Sequence, residues 1–323
     1  MSERHFDILV VGEINPDAIV LDRRAELAFG QVETMVEDGV LTVGSSGAIF
    51  ACGAARVGLS TTFAGVLGDD AGGRFMIEEL GRRDVDVSAC RIDPERRTAL
   101  TVVVSRGDDR AILTAPGAMP SLDPAEIGDE VLTAAAHLHV TSPNLQPKLR
   151  AGLAGLLERA RSLGLTTSLD PGWDPTGDWA DGLLPALEHT DVFLPNATEA
   201  GRIAGTDDPD AALGHLSERV ETVAVKLGAA GAIATGGGET VTAAAPEVGF
   251  VDATGAGDSF AAGFLRGRRD GLDLEATLDL AVACGSLSTR ALGGVDAQPD
   301  FTEAAETARN VTRLRDTRGR SGA

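Results

Sequence analysis

Asp252-Ala253-Thr254-Gly255-Ala256-Gly257-Asp258-Ser259-Phe260-Ala261-Ala262-Gly263 sets three small residues at an expected helix start, with a carboxylate directly behind them. Gly255 and Gly257 allow backbone angles and close approaches that a β-carbon obstructs, and the apolar run Phe260–Leu265 continues as a helix. The first N–H groups of such a helix have no carbonyl one turn back and are free to meet phosphate oxygens. Asp258 does not help to bind an anion. A carboxylate here reads as the acceptor of a proton from a hydroxyl that attacks phosphorus. The implied chemistry is phosphoryl transfer to an alcohol, with Asp258 as base and the N–H groups of Gly255, Ala256 and Gly257 as an anion hole. A glycine-rich turn capped by an acid gives the same tetrapeptide without chemistry, so the rest of the chain has to decide.

Phe6–Val11 is an apolar run broken only by Asp7 and ending at Gly12, as expected of a strand buried on both faces of a parallel sheet. Similar runs recur at Thr61–Phe63, His137–Val140, Thr166–Leu169, Val192–Leu194 and Thr222–Val225. Between them lie amphipathic segments of helix length, among them Arg74–Arg82, Pro147–Leu163 and Asp210–Arg219. The alternation predicts an α/β doubly wound sheet with ligands at the C-terminal strand ends. Two segments break the pattern, Gln31–Val43 and Thr98–Thr114. In the second, Thr101–Ser105 and Ala111–Thr114 read as hairpin strands around the polar turn Arg106–Arg110.

No linker or low-complexity block interrupts the 323 residues, and a single domain over 1–323 is the economical reading. The net charge of −21 disfavours nucleic acid as a partner. Cys52, Cys90 and Cys284 are odd in number and set in apolar surroundings, which suits buried thiols in a reducing compartment, the cytoplasm. No stretch approaches the roughly 20 apolar residues that span a bilayer. Residues 308–323 hold five arginines and read as a frayed helix end and disordered tail. His137 and His139 are expected on opposite faces of their strand, unable to pair, and no histidine has metal-ligand spacing.

The glycine segment with its flanks resembles the C-terminal signature of the ribokinase, or PfkB, family of carbohydrate kinases, departing from it at Ala253. The resemblance extends in order through Gly12-Glu13-Ile14-Asn15-Pro16-Asp17, Gly44-Ser45-Ser46-Gly47-Ala48 and Gly65-Val66-Leu67-Gly68-Asp69-Asp70-Ala71-Gly72-Gly73. It continues through Pro116-Gly117-Ala118, Asn196-Ala197-Thr198-Glu199 and Lys226-Leu227-Gly228-Ala229-Ala230-Gly231. It implies a ribokinase-like fold whose small β-sheet lid, from about 14–43 and 98–116, closes over the sugar and is shared in a homodimer. It also implies an ATP-dependent kinase acting on a small sugar, with Mg²⁺ on the phosphates.

Residue by residue, the resemblance puts Asp17, with Asn15 and the loop Gly44, Ser45 and Ser46, on the sugar side. Lys226, Gly228, Gly231, Asn196 and Cys284 fall on the nucleotide side, and Glu199 organises water on Mg²⁺. Asp252 and Thr254 are implied as holders of a monovalent cation such as K⁺. There are departures too. Ser45 stands where the family usually has a second Gly, and Ile49 and Met119 stand where Asn is common. Asp174 replaces an Arg that would meet an acidic or phosphorylated sugar. A neutral sugar is therefore expected, with a nucleoside kinase or a non-catalytic sugar or nucleotide sensor on the same fold as alternatives.

Overall fold

The computed structural model describes residues 4–22, 29–106, 109–180, 182–311 and 313–314. In chain order the strands are β1 (Phe6–Val11), β2 (Pro16–Leu21), β3 (Asp38–Val43), β4 (Thr61–Ala64), β5 (Val66–Gly68), β6 (Val85–Asp86), β7 (Arg91–Asp93) and β8 (Leu100–Arg106). They continue as β9 (Asp109–Ala115), β10 (Ala135–Thr141), β11 (Thr166–Asp170), β12 (Val192–Phe193), β13 (Thr222–Lys226), β14 (Ala232–Gly236), β15 (Glu239–Ala243) and β16 (Arg313–Leu314). The helices are α1 (Ser46–Arg56), α2 (Ala71–Arg82), α3 (Asp129–Thr133), α4 (Pro147–Ser162), α5 (Leu183–Leu187), α6 (Ala197–Ala204), α7 (Pro209–Ser217), α8 (Ala256–Arg269), α9 (Leu274–Ser288) and α10 (Phe301–Ala308).

The main sheet has the order β16-β15-β14-β13-β12-β11-β10-β1-β4-β6. It is parallel from β13 through β6 and antiparallel in β14, β15 and β16. β1 lies between β10 and β4 and is buried on both faces. Its Ile8 and Val10 join a core with Phe50, Phe260 and Phe264, while Leu9 and Val11 join one with Leu138, Leu153 and Phe193 on the other side. That double burial is why β1 reads as a solid apolar run rather than an alternating one. The antiparallel hairpin β14–β15 turns on Gly237 and Gly238, both with positive φ, and belongs to the same sheet.

The smaller sheet runs β3-β2-β8-β9. The expected hairpin is β8 and β9, and β2 joins it in parallel while pairing antiparallel with β3. Residues 107–108 of its turn, and 23–28 of the other lid segment, lie outside the described residues. Asp17, Ile19, Thr101 and Val103 point to the buried face, whereas Leu41, Ala18, Val102 and Leu113 share one cross-strand row on the other face. At the far end of the chain, α10 stops at Ala308 and Arg313–Leu314 pair with β15, where a frayed end is expected; 315–323 are outside the described residues.

α8 and α9 pack closely because small residues face each other. A β-carbon on Gly263 would lie 2.8 Å from Cys284 Sγ, and one on Gly267 would lie 3.0 Å from Thr277 Cα. α8 starts at Gly255, which adopts φ 72 as its N-cap, and carries arginines 266, 268 and 269 in its last turn, where the helix dipole favours cations. Its N-terminus is thereby fixed over the C-terminal end of the parallel strands.

Candidate active site

Gly255 takes a left-handed backbone at close quarters: a β-carbon there would lie 2.7 Å from both Gly294 Cα and Ile49 Cγ2. Ile49 thus fills the space behind the anion hole by packing, where an Asn side chain would have needed a hydrogen-bond partner. The Ala256 amide donates to the Ala253 carbonyl at 3.3 Å. The amides of Gly257 and Asp258, in the first helical turn, have no helical acceptor. Beneath them lies Lys226, whose Nζ would be 3.3 Å from a β-carbon at Gly257.

Lys226 ends β13 with its side chain 13% exposed and donates to Asp170 Oδ2 at 2.6 Å. Burial alone would favour the neutral amine, but Asp170, Glu199 and Asp258 around it hold its pKa above the usual lysine value. Asp258 shows the opposite balance. Loss of water raises its pKa well above the usual carboxylate range; Asp170 and Glu13 add to the effect, while Lys226 and a hydrogen bond with the Ser46 side chain work against it. A carboxyl raised in this way is a stronger proton acceptor than an ordinary Asp, as a base for a sugar hydroxyl needs to be.

At the inner face of the smaller sheet, Asp17 is 6% exposed. Asn15 Nδ2 donates to Asp17 Oδ1 and to Thr101 Oγ1, both at 3.2 Å, tying the carboxylate to lid strand β8. Desolvation and the nearby Glu13 push Asp17 up to about 7. Gly44 passes directly over it, since a β-carbon would fall 1.8 Å from Asp17 Oδ1. Ser45 caps α1 at φ 64, ψ 143, a conformation that glycine adopts at less cost. Its Oγ offsets part of that strain by donating to Glu13 O at 2.9 Å and accepting from Ala48 N at 3.4 Å. Met119 is 4% exposed and belongs to the core.

Across the C-terminal strand ends, Asn196 and Glu199 close a reciprocal capping box at the start of α6. Asn196 Oδ1 accepts from Glu199 N at 2.9 Å, and Glu199 Oε2 accepts from Asn196 N at 2.8 Å. Burial and Asp170 raise Glu199 to about 7. Among the described residues no group of three His, Cys, Asp or Glu could hold a metal ion. Gly228 has positive φ in an exposed turn after Lys226, and Gly231 is required by packing, a β-carbon there falling 2.0 Å from Ala243 O.

Three readings of the sequence change. Asp174 has a fully buried side chain that accepts from Thr176 N at 2.8 Å and Thr176 Oγ1 at 2.7 Å and pairs with Arg150 of α4 at 3.4 Å, so its charge is balanced by protein groups. Cys284 is 1% exposed, its Sγ against α8 and its thiol pushed up to about 12 by burial; it offers no surface to a nucleotide. His137 and His139 share a face, as positions two apart on a strand must, and both rings bond Ser168 Oγ, at 2.6 and 2.7 Å. Burial holds His139 neutral.

Residues missed by sequence reasoning are Glu13 and Asp170. Arg110 of β9 donates to Thr254 Oγ1 at 2.9 Å and lies 3.9 Å from Asp252 Oδ1. Asp252 also accepts from Thr254 N and Thr254 Oγ1 on Oδ1, and from Gly293 N on Oδ2. With these donors and a guanidinium in place, Asp252 and Thr254 as arranged here do not fit a bound monovalent cation.

An anion hole at a helix N-terminus, a raised carboxyl within it, a lysine below and a second carboxylate under a β lid define a phosphotransferase acting on an alcohol. Residues 5–300 match the pfkB family of carbohydrate kinases. The chain is 34% identical over 273 residues to a fructokinase of Klebsiella pneumoniae, covering 79% of this chain and 88% of that protein. It is 31% identical over 265 residues to a 2-dehydro-3-deoxygluconokinase of Bacillus subtilis, covering 77% and 81%. The Arabidopsis thaliana ribokinase complexed with ribose and ATP superposes with a TM-score of 0.81 at 25% identity, covering 94% of this chain and 99% of that one. The chain belongs to the pfkB family of carbohydrate kinases.

Proposed function

We propose that the protein transfers the γ-phosphoryl group of ATP to a primary hydroxyl of a small neutral sugar. The observation that carries this is the Asp258 carboxyl in the first turn of α8, beside first-turn amides that have no helical acceptor. Asp17, braced by Asn15, orients the sugar hydroxyls. Asp258 takes the proton of the attacking hydroxyl, and the α8 amides hold the charge that develops on the transferred group. Lys226 exchanges Asp170 for the nucleotide phosphates. Mg²⁺ bound with ATP would neutralise phosphate charge, and Glu199 and Asp170 would orient its water.

The preference for a neutral sugar rests on Asp17 and Glu13 rather than on Asp174. Both are buried on the sugar side, and Arg110 is engaged with Thr254. Turnover of fructose and of 2-dehydro-3-deoxygluconate at low ionic strength tests it. The neutral sugar is expected to have the higher kcat/KM by tenfold or more; a tenfold advantage for the acid overturns the preference.

A homodimer through the lid is part of the same reading. The row Leu41-Ala18-Val102-Leu113 gives the four-stranded sheet an apolar outer face, with Leu41 54% and Leu113 59% exposed. A second copy of the chain, with the same face, is the occupant it suits. Leu113→Asp is expected to convert the dimer to a monomer in light scattering; an unchanged mass sinks the interface. We place the protein in the cytoplasm on the strength of its three free cysteines. No helix among the described residues is long and apolar enough to cross a membrane.

A further inference from the structure

We propose that Arg110 is a positioning residue of the transfer reaction: its guanidinium is a built-in cation that latches the lid to the turn entering α8, so that the lid and the anion hole are set together. The inference rests on the placing of that hole at the start of α8.

Arg110 sits on β9, an edge strand of the smaller sheet, opposite Ser105 of β8. The turn it reaches lies 144 residues away in the chain: Nη1 donates to Thr254 Oγ1 at 2.9 Å and is 3.9 Å from Asp252 Oδ1. The Thr254 hydroxyl is used in both directions. It accepts from the guanidinium and gives its own proton to Asp252 Oδ1 at 3.0 Å. The Thr254 amide donates to the same carboxylate oxygen at 3.1 Å. Next in the chain is Gly255, the N-cap of α8, whose left-handed backbone leaves no room for a β-carbon. Arg110 is thus one hydroxyl and one peptide unit from the first residue of the hole.

The other oxygen of Asp252 is also tied to the lid. Oδ2 accepts from Gly293 N at 3.0 Å, and a β-carbon on Gly293 would lie 3.1 Å from Thr42 Cγ2 and 3.6 Å from Ile19 Cδ1. Strands β2 and β3 therefore rest on the turn that holds Oδ2, while β9 reaches Oδ1 and Thr254. Asp252, 7% exposed, is gripped between the two contacts, and its own amide is fixed on Thr289 O at 3.1 Å. The sheet making both contacts is the one that carries Asp17 on its inner face. With its side chain 39% exposed, Arg110 stands where an ion pair adds little to stability. A planar fork across a hydroxyl and a carboxylate adds geometric precision instead, and small displacements of a reacting site are costly in rate. Three hydrogen bonds already reach Asp252 from Thr254 and Gly293, so what Arg110 brings to that carboxylate is charge.

The test is steady-state kinetics by ADP release, with sugar and ATP each varied, in wild type, Arg110→Ala and Asp258→Asn, with circular dichroism and thermal unfolding as checks on folding. Guanidinium chloride or urea is added at concentrations well below those that unfold the protein; the two molecules have nearly the same shape, and only the first carries charge. Arg110→Ala is expected to lose about tenfold or more in kcat with a rise in KM for the sugar and an unchanged Tm. Guanidinium ions should raise its kcat about threefold or more and leave wild type unaffected, while urea does neither. Wild-type kcat and KM in Arg110→Ala overturn the proposal. So does a loss of kcat that guanidinium does not relieve, or one that urea relieves equally. Full activity of Asp258→Asn defeats the placing of the chemistry at the start of α8 instead, so the two failures are distinguishable.

Discussion

Replacing Asp17 with Asn is expected to stabilise the protein at pH 8 while removing most of its activity. In the unfolded chain this carboxyl loses its proton near 3.8; in the folded protein, short of water and near Glu13, it does so near 7. Below the lower value both states are protonated and the group has no effect on stability. Between the two values the unfolded state ionises while the folded state keeps its proton, so stability falls as pH rises. Above the upper value the full penalty is present, and at about 1.4 kcal/mol per pH unit it amounts to roughly 4 kcal/mol. Asn carries no charge and keeps one acceptor for Asn15 Nδ2, but it loses other bonds of the carboxylate at about 1 kcal/mol each. The net gain at pH 8 is then on the order of 2 kcal/mol, vanishing or reversing near pH 4. Urea unfolding between pH 4 and 8 measures it, with the fluorescence of Trp173 and Trp179, whose rings meet edge to face at 5.1 Å, as the signal. Loss of charge-assisted bonds to the sugar should lower kcat/KM by about 10- to 150-fold. A gain in stability of the same size at pH 4.5 and pH 8 would refute the reasoning, because the penalty argued here depends on ionisation.

Asp258→Asn should bind ATP and sugar yet turn over about 10²- to 10⁴-fold more slowly, measured by single-turnover kinetics. Lys226→Met removes the cation below the α8 amides; KM for ATP is expected to rise by about 10- to 150-fold with a smaller change in KM for sugar, seen in steady-state assays with each substrate varied. Because Asp252 is occupied by protein donors and Arg110, rates in potassium and in tetramethylammonium chloride should agree within about twofold; a strict potassium requirement would show that Arg110 gives way to an ion.

The parallel half of the fold was readable because its signals are local. Phe6–Val11, Thr166–Asp170 and Thr222–Lys226 are short runs of apolar and β-branched residues, and Gly255 and Gly257 mark a turn that needs small residues. The β14–β15 hairpin was also marked by its glycine pair, yet its outward residues Glu239 and Thr240 dilute the apolar run. The site was harder to read, since its decisive contacts join residues far apart in sequence. Glu13 meets Ser46 and Gln146 at separations of 33 and 133, Lys226 meets Asp170 at 56, and Arg110 meets Thr254 at 144. Before folding, Glu13 is one acid among 49 acidic residues. Asp174 misled for the converse reason: its partners Thr176 and Arg150 lie in its own loop and a neighbouring helix, and nothing in the sequence pairs them.

The apolar outer face of the lid bears on how measurements on this protein should be made. Strands β3 and β9 are the edges of a sheet whose inner face buries Asp17 and Thr101, and whose outer face is open in the single chain. In the proposed dimer, rigidity of the lid depends on the second copy, and sugar affinity is then expected to vary with protein concentration. Specific activity should fall on dilution into the nanomolar range and recover with added enzyme. A KM measured at catalytic enzyme levels and a Kd measured by calorimetry at micromolar levels would differ without either being in error, and the crossover between them reads out the dimer dissociation constant.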